Sequence, residues 1–489
     1  MASGQSIRRG IAWLFVGNTS KQLLGFVFGV VLARLLVPED FGMLITIQVF
    51  TGLAGFIAGG GMGQALIRAK TATTQDYDIV FTLQLIIGCL IYAAFFLAAP
   101  WFARWYDHPL YSDLLRVSAL SFILRPFVNL PSNMLHRAMR FKAQAVVSVI
   151  TLILSSTVSI GLAYLGHGVW SLIWGGIVGS VASALLLMPI ARWRPRLSTA
   201  FGRGREIARY GVLFSINDIV FYLRSQLSAF ILSRTLGPAS VGLFNKGESL
   251  ARMPHIFITG SVYPVLFRAL GAEQDNLDRS RYLYFRSIAL VALYATPFYV
   301  GLLWLAEPLV RGVYGVRWVE AAGPLAILAL AWPFWLMGNL SGNVLKARNW
   351  LGRELAVQVS SLAIGSLAIW VGLAYGIDGV AWAVVGTAAF TGICQYGLAT
   401  RCLDARLSGF PRALVPAGVL NVLLATVLFL MDLALPPAVR QNDLVYVLAM
   451  GTAGGLVYGL AFLYVPFAAL AVEQQRWRTK LRLTRANPG

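Results

Sequence analysis

Charged side chains are scarce in this sequence, and acidic ones most of all. Only 12% of the 489 residues are charged, with 20 acidic against 40 basic side chains, whereas soluble domains carry about 25% charged residues. With 58% apolar residues, the chain has too few polar groups to cover a large soluble surface. We therefore predict an integral membrane protein and exclude a large soluble domain.

Motifs for catalysis and metal binding are also lacking. There is no Gly-x-x-x-x-Gly-Lys-Ser/Thr phosphate loop and no Gly-x-Ser-x-Gly elbow, so neither an ATPase nor a hydrolase of those classes is expected. The three cysteines are far apart, which predicts no disulfide framework and no metal site. The four histidines, His108, His136, His167 and His255, are scattered, and we place each in a loop or at headgroup level. We expect no cofactor and no enzymatic activity.

Apolar runs of twenty or more residues recur along the whole chain instead. Each is long enough to cross about 30 Å of hydrocarbon as a helix. The sequence thus predicts an all-α, polytopic integral membrane protein with about 14 transmembrane helices. The predicted spans lie near residues 11–36, 41–66, 79–100, 112–133, 143–165, 169–191, 211–234, 241–267, 283–305, 321–343, 355–375, 379–400, 413–432 and 443–470.

Basic residues are distributed unevenly between the predicted loops. With the N-terminus in the cytoplasm, the cytoplasmic segments hold 28 of the 40 basic residues and the outer segments hold seven. This asymmetry follows the positive-inside rule. The net charge of +20 therefore indicates membrane topology, and nucleic acid is not an expected partner. An even number of spans places both termini in the cytoplasm.

Parts of the first half of the chain return in the second half. Three segments recur in order at offsets of 200, 210 and 211 residues: 34–42 as 234–242, 129–135 as 339–345, and 161–169 as 372–380. Six spans per half give both halves the same orientation, so we predict two six-helix bundles in a parallel pseudo-twofold repeat, with a binding site between the halves. The predicted lobes are 1–198 and 199–404, followed by spans thirteen and fourteen and a basic cytoplasmic tail in 405–489.

Four glycines lie close together near the inner end of span two, at Gly59, Gly60, Gly61 and Gly63. Glycine costs a helix about 1 kcal/mol relative to alanine. The cluster therefore predicts a bend or an unwound point. The alternative is close helix packing through small residues.

Five basic side chains fall inside predicted spans, where a charge facing lipid costs about 3 kcal/mol. Such groups must pair or face a water-filled cavity, so we take them as candidate substrate-binding cations of a central cavity. A cavity with this positive excess would concentrate an anion such as phosphate. The five are Lys21, Arg125, Arg224, Lys246 and Arg252.

Only two acidic side chains fall clearly within the same spans, Asp218 and Glu248. Glu248 and Arg252 are spaced i,i+4 on span eight and can pair on one face, while Asp218 could pair with Lys21. Both acids are candidates for ion coupling. Phe95 is expected to face lipid.

The end of span one carries a recognisable signature. Residues 32–42 read Leu-Ala-Arg-Leu-Leu-Val-Pro-Glu-Asp-Phe-Gly, with a second copy at 233–242. This resembles the (L)-(S/A)-R-x-L-x-P-x-x-(F/Y)-G signature of polysaccharide flippases. Over essentially its whole length the chain resembles the multidrug/oligosaccharidyl-lipid/polysaccharide exporter superfamily. It is most similar to the Wzx-type O-antigen and exopolysaccharide flippases of the colanic-acid-like branch. We interpret the signature itself as structural, marking a helix end.

The resemblance implies a fold, a substrate and partners. It implies two six-helix bundles, with two extra C-terminal helices, in the bacterial inner membrane. The expected function is to move undecaprenyl-pyrophosphate-linked oligosaccharide repeat units across that membrane by alternating access, with cavity cations meeting the pyrophosphate or acidic sugars. The expected partners are this anionic lipid-linked oligosaccharide, membrane lipids, and a polysaccharide polymerase and glycosyltransferases.

Three other functions stay open at this point. A multidrug or cation antiporter of the same fold should bind cations through cavity acids, whereas this chain offers more intramembrane bases than acids. A lipid II flippase would share the anionic headgroup. A membrane glycosyltransferase or ligase would need a large outer loop, and the longest predicted outer loops, near 101–113 and 307–320, are short.

Overall fold

The computed structural model describes residues 4–59, 61–68, 73–199, 219–220, 222–273, 276–467 and 470–481. Across these ranges the chain is almost entirely helical and contains no strand. A helix pairs all its backbone polar groups within one segment, which is what an apolar chain in hydrocarbon requires. The all-α, polytopic fold class is confirmed.

The chain divides into two compact units, Met1–Gly242 and Leu243–Gly489. This boundary falls inside one continuous helix. The lobes 1–198 and 199–404 were predicted from the sequence repeat, which is a different division from these two units. They stay a prediction. The helices of the first unit are α1 (Gly4–Leu35), α2 (Pro38–Gly59), α3 (Met62–Arg68), α4 (Thr74–Trp105), α5 (Leu110–Ala119), α6 (Ser121–Arg137), α7 (Phe141–Tyr164), α8 (Val169–Ala191) and α9 (222–235).

Helix α10 (Gly237–Ala272) crosses the unit boundary, and the second unit continues from it. Two short 3₁₀ helices interrupt this unit, at Val316–Ala321 and Leu373–Tyr375. Its α-helices are α11 (Leu277–Tyr314), α12 (Ala322–Ala329), α13 (Trp332–Ala347), α14 (Leu351–Gly372), α15 (Gly376–Leu403), α16 (Gly409–Ala434), α17 (Pro437–Arg440), α18 (Asp443–Tyr464) and α19 (Ala471–Lys480).

In the described part of the chain, each of the fourteen predicted spans contains helical residues, while 211–218 and 221 of span seven lie outside that part. Within the described ranges, nine helices are long and apolar enough to cross a membrane, or ten if the bent pair Val316–Ala329 and Trp332–Ala347 counts as one span. These findings describe a multi-pass membrane protein. The count of fourteen is consistent with them and stays a prediction.

A helix break recurs at equivalent positions of the repeat. Span four divides into α5 and α6 at Leu120, and span ten divides into α12 and α13 at residues 330–331, where the two parts are bent by 53°. The separation of about 210 residues equals the offset of the second sequence echo. The repeat therefore extends from sequence to local backbone geometry.

The glycine cluster of span two also breaks its helix. α2 ends at Gly59 and α3 begins at Met62. Gly61 has a φ of +60°, a left-handed conformation that glycine adopts without the penalty a side chain would bring. The predicted bend is thus a complete interruption of the helix.

The two copies of the signature contact each other within the first unit. Pro38 is the first residue of α2 and Pro238 the second of α10, which are favoured positions for proline because the missing N–H needs no partner there. A Cβ on Gly42 would overlap the carbonyl oxygen of Pro238, and a Cβ on Gly242 would overlap that of Pro38. The signature therefore encodes two helix starts and a reciprocal close approach.

The helices without a repeat counterpart belong to the second unit. α16 and α18 pack with α11 in one apolar cluster that includes Leu293, Leu424 and Met450. Arg311 of α11 adds an ion pair to Asp443 at the start of α18, with 2.7 Å between Nε and Oδ2. Spans thirteen and fourteen are therefore attached through α11.

Candidate functional site

Arg125 of α6 occupies a space that a glycine provides in the first unit. Its guanidinium lies 5.2 Å from the centre of the Phe122 ring. It also packs directly on Gly55 of α2, where an added Cβ would overlap the guanidinium nitrogens. No carboxylate among the described residues pairs with Arg125. Among the residues that the structure describes, this guanidinium in the middle of a predicted span therefore has no carboxylate partner.

Tyr222 of α9 contacts the neighbouring turn of α2. Its hydroxyl donates to the carbonyl oxygen of Gln48 at 2.7 Å, and Gly52 leaves the room for the phenol ring. Gly52 and Gly55 are one turn apart and so lie on one face of α2. This glycine face brings α6 and α9 together around Arg125 and Tyr222, a contact that the sequence analysis did not identify.

The other predicted cations of the first unit are placed differently. Arg224 lies on α9 two residues after Tyr222, is half-buried and interacts with neighbouring groups. Lys21 is exposed on α1, and none of the described residues joins it to Arg125 or Arg224. Asp218 lies outside the described residues, and so does its predicted pairing with Lys21. The common cavity predicted for the three cations stays a prediction.

Phe95, which was predicted to face lipid, is only partly exposed. Its ring stacks on Phe122 with 5.8 Å between centroids, and Phe122 is fully buried. Phe95 therefore lies behind the ring that supports Arg125. Leu97, two residues further along α4, is 78% exposed and takes the outward position. α4 is apolar around its circumference, so periodicity could not tell these two positions apart.

In the second unit, the predicted pair on α10 forms. Arg252 donates from Nε and Nη2 to Glu248 Oε1, at 2.9 and 2.8 Å. The guanidinium carbon also lies 4.8 Å from the centre of the Trp335 ring on α13. The side chains of Arg252 and Glu248 are 44% and 19% exposed. Because the carboxylate cancels the guanidinium charge, Arg252 is not a net cationic centre.

The next turn of α10 extends this polar cluster. His255 Nε2 lies 3.1 Å from Nδ2 of Asn339, within hydrogen-bond distance, and the His255 and Trp335 rings are 6.4 Å apart. Asn339 is exposed, and Trp335 is partly exposed. His255 lies well inside the 36-residue helix α10 and not in a loop, while its predicted position at headgroup level stays a prediction.

Lys246 is separated from that cluster by its own aromatic surroundings. Its Nζ lies 5.2 Å from the ring centre of Tyr314 and 5.5 Å from that of Trp318. Both rings are buried, and a cation over an aromatic face is stabilised by the ring quadrupole. Lys246 and Arg252 are six residues apart, so they point to different sides of α10.

The sequence analysis also missed a buried acid. Glu354, in the first turn of α14, is only 8% exposed, and its Oε1 lies 3.4 Å from Lys346 Nζ. It stands just outside the predicted span 355–375 and was not counted among the intramembrane acids. The available signal was the position of Lys346 and Glu354 on either side of the short turn between α13 and α14, which could have predicted an ion pair.

Comparison of sequences finds relatives in polysaccharide biosynthesis. A family model described as "Polysaccharide biosynthesis protein" matches residues 31–323. The succinoglycan biosynthesis transport protein ExoT of Rhizobium meliloti is 26% identical over 329 residues, 67% of each chain. The lipopolysaccharide biosynthesis protein WzxC of Escherichia coli is 23% identical over 341 residues, 69% of each chain.

Comparison of structures finds exporters of the predicted superfamily. The lipid II flippase MurJ in an inward closed conformation superposes with a TM-score of 0.73 and 15% identity, covering 92% of this chain and 98% of that one. An inward-facing multidrug resistance MATE family transporter of the MOP superfamily gives 0.63 and 17% identity, covering 78% and 94%. At these identities the likeness shows the fold alone, a polytopic helical membrane transporter fold.

Proposed function

The chain belongs to the polysaccharide biosynthesis protein family, and on that premise we propose that it is a flippase for lipid-linked oligosaccharides. Its substrate would be undecaprenyl-pyrophosphate-linked repeat units, moved across the bacterial inner membrane for polysaccharide assembly. Two relatives act in succinoglycan transport and lipopolysaccharide biosynthesis, which supports this class of cargo. The function is transport without a catalytic step.

One observation carries the proposal: the Arg125 guanidinium lies within a predicted span and has no carboxylate partner among the described residues. A guanidinium presents a planar fork of donors that matches two phosphate oxygens. The charge lies within a span, where the low local dielectric strengthens its attraction to an anion. The lack of a side chain at Gly55 leaves room for this guanidinium against α2. A lipid pyrophosphate could thus leave its chain in the bilayer while its headgroup meets Arg125.

The antiporter alternative finds less support in the described part of the chain. A cation exporter needs a carboxylate that is available to its cargo. Glu248 is neutralised by Arg252 and Glu354 by Lys346. A lipid II flippase would use the same pyrophosphate chemistry, so Arg125 does not separate it from the proposed function. The sugar must make that distinction.

We also place this function in its cellular setting. Both termini are proposed to lie in the cytoplasm, because the predicted cytoplasmic segments hold 28 basic residues against seven in the outer ones. The proposed partners are the glycosyltransferases that build the repeat unit and the polymerase that consumes it. Reporter fusions after Arg203 and Arg406 are expected to be cytoplasmic, which tests the topology.

Binding of undecaprenyl pyrophosphate tests the proposal. We expect Arg125→Gln to weaken binding to the purified protein by about tenfold to a hundredfold, because a charge-assisted contact contributes about 1.5–3 kcal/mol. Native mass spectrometry of the detergent-solubilised protein measures the bound fraction. In cells that depend on this flippase, the same variant should lose polymer export while still accumulating in the membrane.

Arg116→Gln is the matched control. Arg116 also lies over a phenylalanine, 4.6 Å from the Phe96 ring centre, but it is paired with Asp113 at 3.7 Å. We expect its replacement to leave lipid binding and export unchanged. Wild-type affinity in Arg125→Gln, or an equal loss in both variants, would contradict the assignment of Arg125 to the pyrophosphate.

A further inference from the structure

We propose that Glu248, Arg252, His255, Trp335 and Asn339 form a subsite for a sugar ring of the cargo, distinct from the anion subsite at Arg125. This inference rests on the proposed flippase function and assigns the carbohydrate part of its substrate. The five side chains come from one face of α10 and the neighbouring helix α13 of the second unit.

The charge of the cluster suits a neutral polar ligand. Both bonds from Arg252 go to Oε1 of Glu248, and no donor within the described ranges reaches its Oε2. A paired carboxylate and guanidinium have no net attraction for phosphate, yet they still offer acceptors and donors. Sugar hydroxyls are both donors and acceptors. The pair therefore matches vicinal hydroxyls better than it matches a pyrophosphate.

Trp335 supplies the apolar surface that a sugar needs. A pyranose has one face made largely of C–H groups, which packs on an aromatic ring, while its hydroxyls point outward along its rim. The indole packs against Ala331, Val385 and Ala388, and the Arg252 guanidinium carbon lies over the ring, 4.8 Å from its centre. The ring is still partly exposed, and that exposed part is the surface a sugar would contact. An aromatic surface beside a few fixed polar groups is the usual composition of a small-ligand site.

Asn339 gives the subsite an oriented amide. Its Nδ2 is held 3.1 Å from His255 Nε2, so its carbonyl oxygen is fixed in direction, and the residue is exposed. Arg252 is 44% exposed on the same face. Such groups inside a membrane span cannot face hydrocarbon without a large cost. This face of α10 is therefore one that water or a ligand must cover.

The repeat indicates that the fold does not require these side chains. At the offset of 200 residues, Arg252 and His255 correspond to Gly52 and Gly55, and at the offset of 210, Trp335 corresponds to Arg125. The first unit folds with glycine at both equivalent positions of α2. The polar groups of α10 were thus free to be selected for binding.

A bare lipid and three glycosylated forms of it test the subsite. Affinities would be measured for undecaprenyl pyrophosphate and for the same lipid carrying one glucose, galactose or N-acetylglucosamine. We expect the wild-type protein to bind at least one of the glycosylated lipids about tenfold more tightly than the bare lipid. Trp335→Ala should remove that advantage and leave the affinity for the bare lipid unchanged. Trp335→Phe should retain most of it.

Two further variants separate a binding role from a structural one. Trp370→Ala removes a different tryptophan of the second unit, 70% exposed on α14, and should change neither affinity. Asn339→Ala should reduce the sugar advantage by about threefold to tenfold with the same melting temperature as the wild type. The inference is overturned if no sugar increases wild-type affinity, or if Trp335→Ala weakens both lipids equally. Failure of the bare lipid to bind would instead overturn the proposed function.

Discussion

Each unit has a guanidinium inside a predicted span. The two guanidiniums lie on opposite members of an equivalent pair of helices. In the first unit Arg125 extends from α6 toward Gly55 of α2. In the second unit Arg252 extends from α10, the repeat equivalent of α2, toward Trp335 of α13. One guanidinium has no carboxylate partner among the described residues, and the other is paired with Glu248. The repeat therefore preserves the helix pairs while the polar chemistry between them differs.

This difference supports a division of labour between the units. An unpaired guanidinium attracts an anion, whereas a neutral pair beside an indole suits hydroxyl groups and an apolar ring face. The proposed cargo carries groups of both kinds, a pyrophosphate and a sugar.

The largest expected effect comes from filling the space of Arg125. Gly55→Ala would place a Cβ on the guanidinium nitrogens of Arg125. The overlap forces the guanidinium to move, and it can move because it is the far end of a flexible side chain. The charge stays but its position changes. We expect about tenfold or more loss in undecaprenyl pyrophosphate binding, measured as for Arg125→Gln, with the protein still folded.

Gly59→Ala is the control for that change. Gly59 lies one turn further along α2, and nothing lies within 4 Å of an added Cβ there. Its replacement should leave binding at the wild-type level. If Gly55→Ala also binds normally, the close contact between Gly55 and Arg125 has no role in recognition. The first unit would then have no anion-binding position set by this contact to compare with the second unit.

The sequence predicted the elements of this comparison but not their meeting points. The Glu248–Arg252 pair follows from i,i+4 spacing, and the helix break near Gly59 follows from glycine's low helix propensity; both are local properties. Arg125 and Gly55 are 70 residues apart, and no periodic signal joins them. Trp335 was overlooked because a tryptophan within an apolar run is predicted to be a buried packing residue, and its polar neighbours on α10 cannot be identified from the sequence.

Solvent access offers a second way to compare the units. In a cysteine-free background, single cysteines at Lys21 and Asn339, both exposed, should react several-fold faster with a water-soluble maleimide than a cysteine at Leu97. The reason is that maleimide reacts with the thiolate, which forms in water and not in hydrocarbon. Slow labelling at Asn339, equal to that at Leu97, would place this face of α10 and α13 against lipid and remove the sugar subsite.

The smallest expected effect comes from making the second unit resemble the first. Glu248→Gln leaves Arg252 without a carboxylate partner. Arg125 is in that situation among the described residues. Because Arg252 is 44% exposed, solvent screens the lost pair, and the melting temperature should fall by only about 1 °C. The affinity for bare undecaprenyl pyrophosphate should rise by about twofold to threefold at low salt, and this gain should vanish at about 1 M salt because the new charge is screened.

Glu307→Gln is the matched control: Arg311 loses an i,i+4 partner but keeps Asp443 at 2.7 Å, so no net charge is unmasked and affinity should not change. A fall in affinity in Glu248→Gln, or a loss of several degrees in melting temperature, would mean that the pair serves packing of α10 and that charge neutrality is not what distinguishes the two units.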